Sequence, residues 1–167
     1  MGLSMLAGKS WEKLAKSIPG YKPHRYDKLL YCGLRDVCDE SRKTVADSGA
    51  DVIWGDAKVK VDFASQLWKQ LKAKGYSPAL VHLDLDVLDE TVGKVNGFES
   101  AGGLLEADLI DSMALVPLSA TPKSLTVCSF NPNLGDGDKI ATIGVRAIVA
   151  FTTSLLESGA LKKRTTI

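Results

Sequence analysis

The sequence predicts an α/β fold, a parallel sheet of about four strands flanked by helices. Two observations carry this. Apolar runs bounded by turn residues occur at 28–34, 51–55, 81–89 and 124–130, and stretches of helical periodicity separate them. The length of 167 residues suits one domain, spanning the whole of 1–167, with a full hydrophobic core.

In chain order, Leu3, Leu6, Trp11, Leu14 and Ala15 are spaced for a helix over 3–18, ending before Pro19-Gly20. A polar loop follows, and His24 is read as part of it. The strand 28–34 is closed by Gly33 and leads into Arg35-Asp36. A helix over 40–48 and a short strand over 51–55 come next. An amphipathic helix over 61–74 places Phe63, Leu67, Trp68 and Leu71 on one face, as core. After the strand at 81–89, Gly93, Gly97, Gly102 and Gly103 punctuate an irregular loop that lacks the glycine spacing of a phosphate cradle. A helix over 104–115, a turn-rich linker over 117–122 and a strand over 124–130 follow. Asn131-Pro132-Asn133 closes that strand, and Asp136-Gly137-Asp138 is placed to cap a last helix over 139–157.

Hydrophobic residues make up 45% and charged residues 25%, the balance of an ordinary globular protein. A net charge of +1 gives no electrostatic reason to expect nucleic acid or an acidic membrane as partner, and Lys162-Lys163-Arg164 reads as a solvated terminus. Cys32, Cys38 and Cys128 are an odd number without CxxC spacing, so neither a disulfide framework nor a zinc site is expected; Cys32 and Cys128 read as small buried residues. Residues 1–7 lack the flanks of a signal peptide, and no apolar run is expected to reach membrane-spanning length. The expected setting is cytoplasmic and reducing.

The chemistry concentrates in Val81-His82-Leu83-Asp84-Leu85-Asp86-Val87-Leu88-Asp89. Strict alternation predicts a strand with His82, Asp84 and Asp86 on one face. Two carboxylates on that face stand about 7 Å apart at the backbone. An unpaired buried carboxylate costs several kcal/mol (~), so the pair calls for a cation or a shared proton.

This stretch, the glycine loop ending Gly102-Gly103-Leu104, Asn131-Pro132 after the last strand, and Tyr31-Cys32-Gly33-Leu34-Arg35-Asp36-Val37 together resemble the ureohydrolases, the arginase and agmatinase family. The matches fall in the family's order over about 1–161. The resemblance implies a truncated arginase-like three-layer α/β/α fold and hydrolysis of guanidino groups by a pair of manganese ions. Those ions are held by a central DAHxD motif, an earlier histidine and a late DxD; Asp84 and Asp86 match the DxD. The first residues resemble the family just after its catalytic HG segment, and the sequence contains no DAHxD motif, so two of six usual ligands are present. The substrate positions also differ. Ser129 stands where the family has a glutamate, Cys38 where it has an aspartate (with Asp39 adjacent), and Phe98 where its glycine loop has a threonine.

Three readings follow. In the first, the chain is an enzyme acting on a small molecule other than arginine, with Asp84, Asp86, His82 and Asp89 as the catalytic set and Cys38, Asp39, Phe98, Ser129 and Asn131 around the substrate. Asp84 and Asp86 would hold a metal, manganese by resemblance, or act as an acid–base pair. In the second, a second copy or a separate partner chain covers an exposed sheet edge and supplies the missing ligands. In the third, the chain is non-catalytic, and its carboxylates are neutralised by protons or by Arg35.

Overall fold

The computed structural model describes residues 2–161; the basic tail at 162–164 lies outside them. The chain divides into two compact units, Met1–Tyr31 with Val37–Val52 and Cys32–Asp36 with Ile53–Ile167.

In the first unit the single helix expected over 3–18 is two short ones, α1 (Gly2–Leu6) and α2 (Glu12–Lys16). Gly8 at φ +70° and Trp11 at φ +52° reverse the backbone between them. The Tyr21 hydroxyl, 3.2 Å from the Met5 carbonyl and 3.0 Å from that of Leu6, closes the end of α1. A 3-10 turn at Tyr26–Lys28 precedes β1 (Leu30–Leu34); the first two residues of β1 and of the later strand Asp51–Trp54 belong to this unit, and the rest of both strands to the second. After α3 (Asp39–Asp47), β2 (Asp51–Trp54) runs beside β1. The Asp51 N–H donates to the Leu29 carbonyl and the Gly55 N–H to that of Leu34, both at 3.0 Å, so the two strands advance in the same direction.

The second unit holds α4 (Phe63–Lys74), β3 (Ala79–Asp84), α5 (Glu106–Ser119), β4 (Pro122–Cys128) and α6 (Gly137–Glu157). An Asp62 carboxylate accepting from the Ser65 N–H at 3.0 Å starts α4, and Gly75 at φ +61° ends it. Phe63, Leu67 and Leu71 form its buried stripe. Trp68 lies off that stripe, 40% exposed, with the Lys72 ammonium 4.4 Å from its ring. Of the linker expected over 117–122, residues 117–119 are instead the end of α5, which continues through a buried Pro117, and Pro122 already opens β4. The Asp136 side chain accepts from the Lys94 N–H at 2.9 Å rather than capping α6. α6 is 21 residues long with a mean hydropathy of 1.5, enough by length and composition to cross a membrane, contrary to the sequence expectation. Its Ile140, Ile143, Gly144, Ala147 and Phe151 are buried at helical spacing, and the helix packs against α5 as a core element.

The fold is thus α/β with parallel strands and flanking helices. The four strands form two pairs, β1–β2 and β3–β4, rather than one continuous sheet. β3 and β4 run parallel, with His82 opposite Thr126 and Asp84 opposite Cys128. Leu83 is buried, while Leu80 is 75% exposed and His82 is exposed. β3 is therefore covered on one face only. Alternation of apolar and polar residues is the pattern of a half-covered strand, not of one deep in a sheet.

Beyond β3 the backbone leaves the strand at Asp84 and makes a 3-10 turn at Leu85–Val87. The glycine loop then folds back alongside. The Leu104 N–H donates to the Val87 carbonyl and the Asp89 N–H to the Leu104 carbonyl, both at 2.9 Å. A Cβ on Gly103 would lie 2.5 Å from the Val87 oxygen and 2.6 Å from the Asp89 nitrogen, both backbone atoms that cannot swing away. Gly103→Ala is therefore expected to destabilise the chain by the upper part of about 1–3 kcal/mol. Urea unfolding should show a lower midpoint with an unchanged slope; an unchanged midpoint would contradict the close approach.

Candidate functional site

The site grows from the carboxyl end of β3. His82 and Asp84 are two residues apart on one face, and the parallel register sets Thr126 and Cys128 beside them on the same face of β4. The 3-10 turn then carries Asp86 back toward Asp84, although the strand has ended.

Arg35, just beyond β1, fixes that turn. Its Nη2 donates to the carbonyls of Asp86 and Leu88, both at 2.8 Å, and of Ser100 at 3.1 Å. Nε also reaches Ser100, and Nη1 reaches the Gly33 carbonyl at 3.3 Å. Burial lowers the guanidinium pKa, and the charges of Asp86, Asp89, Asp36 and Glu90 oppose that shift. Arg35 therefore contacts Asp86 through its backbone oxygen and acts on its carboxylate only through space.

Burial raises the Asp86 pKa, the Asn96 amide donating at 2.9 Å lowers it, and the hydrogen bond and charge of Asp84 raise it again. The net shift is upward, as when neighbouring carboxylates share a proton. Asp84 Oδ1 is buried without a hydrogen-bond partner. Cys128 Sγ lies 3.4 Å from His82 Nε2, and His82 Nδ1 lies 2.7 Å from the Thr126 hydroxyl. Burial and the two carboxylates push the Cys128 thiol up, against a contact with Ser129 Oγ at 3.7 Å.

Asp89 is differently employed. Its Oδ1 accepts from the Thr91 N–H and hydroxyl, and its Oδ2 from the N–H groups of Gly102 and Gly103. Against the cost of burial, these bonds hold its pKa low. Asp89 also lines an open cleft of about 400 Å³ with Asp56, Lys58 and Glu90, but Asp84, Asp86, His82 and Cys128 do not line it.

The substrate positions expected from sequence separate into two groups. Ser129, in a left-handed conformation at φ +60°, follows Cys128 directly. The Asn131 N–H donates to the Val95 carbonyl at 2.8 Å, tying the end of β4 to the glycine loop. Phe98 stands 81% exposed on that loop, its N–H bonded to Asn96 Oδ1 at 2.9 Å. Cys38 and Asp39 belong to the other compact unit, at the exposed start of α3, where the Ser41 hydroxyl at 3.3 Å from Cys38 Sγ lowers the thiol pKa. Cys32 is half-buried, and burial, then the Asp108 charge, push its thiol up to about 12, as for an inert core residue. Cys128, Thr126 and Asn96 are site neighbours that sequence reasoning missed. For the first two the signal is present: TxC on β4 repeats the period of HxD on β3.

Glu99 holds the loop that carries Asn96 and Phe98. Its Oε1 accepts from the N–H groups of Gly97 (2.9 Å), Asn96 (2.8 Å) and Val95. The Gly97 bond leads in lowering its pKa to about 2, against the cost of burial. A folded-state value below the unfolded value of about 4.3 gives a contribution fully present above about pH 4.3 and lost as pH falls through about 2. Amide exchange at Val95, Asn96 and Gly97 is expected to lose its protection across that window, and Glu99→Gln to abolish the step. Equal protection at about pH 5 and about pH 2 would contradict the staple.

No family sequence profile and no curated protein sequence matches the chain. Solved structures do. Arginase from Bacillus subtilis is similar at a TM-score of 0.75 and 20% identity, over 90% of this chain and 52% of that one. A hypothetical agmatinase from Burkholderia thailandensis is similar at 0.68 and 18% identity, over 92% and 45%. Proclavaminate amidino hydrolase from Streptomyces clavuligerus is similar at 0.61 and 22% identity, over 78% and 42%. The chain thus spans about half the length of the solved structures it matches. It has the α/β fold of these arginase and agmatinase structures.

Proposed function

We propose that the chain is a ureohydrolase-like hydrolase in which Asp84 and Asp86 act on a C–N bond of a small molecule other than arginine or agmatine. The observation that carries this is the raised pKa of Asp86 beside the unpartnered Asp84 Oδ1. Two adjacent carboxyls that share a proton supply an acid and a base together. In this reading Asp86 keeps the proton for the leaving nitrogen, Asp84 takes one from water, and His82 is the third group on the face. Asp89 holds the glycine loop in place. Phe98, Ser129 and Asn131 surround the substrate, and Cys38 with Asp39 are assigned to it by resemblance alone. With Ser129 where the family has a glutamate and Cys38 where it has an aspartate, both anionic contacts that the resemblance implies for a guanidino substrate are lost.

A pair of manganese ions does not fit the residues described. Each such ion takes about six oxygen-rich ligands. Here Asp84 is joined by a thiol and an imidazole, and Asp86 Oδ2 already accepts from Asn96. No step is therefore routed through manganese.

A second reading has its own observation. The face bearing Leu80 and His82 is open to solvent, so a second copy or a partner chain could cover it and add ligands. A reducing, cytoplasmic setting suits the three free cysteines. The test is urea and ammonia release from a panel of guanidino, amidino and amide compounds, with Asp84→Asn and Asp86→Asn as controls and light scattering on the same samples. Turnover lost by about a hundredfold or more in either variant is expected if the pair supplies acid–base catalysis. Turnover unchanged in both variants would refute the first reading, and a monomer at every concentration would refute the second-copy form of the second.

A further inference from the structure

The resemblance points to an oxygen-rich manganese site at Asp84 and Asp86, but an imidazole and a thiol also stand beside Asp84. We infer that His82, Asp84 and Cys128 form a three-ligand site for a borderline-soft divalent cation of the zinc class. The inference shares His82 and Asp84 with the hydrolytic reading, yet metal binding is read out without turnover, so each can fail alone.

Four observations converge on it. The parallel register sets the three residues on one face, and an Nε2 or Nδ1, a carboxylate oxygen and Sγ all lie within 4.8 Å of one another. Bond lengths of about 2.3 Å to sulfur and about 2.0–2.1 Å to nitrogen give a tetrahedral edge of about 3.5 Å. Cys128 Sγ and His82 Nε2 are 3.4 Å apart, so one cation can touch both with little movement. Asp84 Oδ1 is buried with no hydrogen-bond partner, a polar atom with an unmet need on a residue of the group. Thr126 completes the set. Its hydroxyl lies 3.5 Å from the Val81 carbonyl, to which it donates, and its oxygen lies 2.7 Å from His82 Nδ1, which donates to it in the Nδ1–H tautomer. That tautomer leaves the Nε2 lone pair free on the side of Cys128, the way second ligand spheres prepare a histidine.

Thiolate, imidazole and one carboxylate suit zinc or cobalt and disfavour manganese, which binds such donors most weakly of the first-row divalent ions. His82 is exposed, so a fourth position faces water, the arrangement of a site that keeps an open coordination position.

The test is titration of the purified full-length chain with cobalt(II), followed by displacement with zinc. A near-ultraviolet thiolate-to-cobalt charge-transfer band is expected, removed by zinc and left in place by excess manganese. Cys128→Ser, with its fold checked by circular dichroism, should lose the band, whereas Cys38→Ser and Asp86→Asn should keep it. Thr126→Val should weaken cobalt binding by about 10–100-fold. Absence of the band in the parent chain would overturn the inference. So would a band that survives Cys128→Ser and vanishes in Cys38→Ser, or one that manganese displaces as readily as zinc.

Discussion

A single guanidinium organises the carboxyl end of β3. Arg35 places one positive charge against the carbonyls of Gly33, Asp86, Leu88 and Ser100. It thereby joins the end of β1, the 3-10 turn and the glycine loop into one piece. Arginine can do this because its donors form a rigid planar fork; lysine, a compact charge on a flexible stem, cannot hold four carbonyls in one plane. Its half-buried charge is tolerable because Asp86 and Asp89 stand close by, and their proximity to each other is tolerable because it is there.

The consequences reach the site. A turn pinned at Asp86 brings that carboxyl back beside Asp84, and the raised Asp86 pKa follows from that proximity and from burial. On the other side, Asp89 spends both carboxylate oxygens on Thr91, Gly102 and Gly103. The three aspartates of DLDVLD therefore have three different settings: one with a buried unpartnered oxygen, one whose pKa is raised by burial, one anchoring a loop. Burial, charge and hydrogen bonding separate these settings, because the side chains are chemically identical.

Much of the fold was legible in the sequence. The stripe Phe63, Leu67, Leu71 and the apolar run of α6 are periodic, and period is what a linear sequence displays best. Less legible was anything set by tertiary partners. Leu3 to Ala15 has helical spacing, yet Gly8 and Trp11 in left-handed conformations divide it. Pro117 reads as a breaker, but only two residues of α5 follow it, and its ring is buried. Asp86 was placed on the face of Asp84 by counting along a strand; the strand ends first, and the turn restores the proximity by another route. Cys128 could not be placed at the site from its own neighbours in sequence, because its position depends on the register between β3 and β4, across a gap of more than forty residues.

The central claim is that Arg35 holds the turn and the glycine loop as one unit. Hydrogen–deuterium exchange on Arg35→Lys tests it most directly. Loss of charge-assisted bonds worth about 1.5–3 kcal/mol should speed exchange at Asp89, Glu90 and Leu104 by about ten- to a hundredfold, and leave the core amides of α5 and α6 unchanged. Unaltered protection at those three amides, or a uniform loss across α5 and α6 as well, would contradict the account.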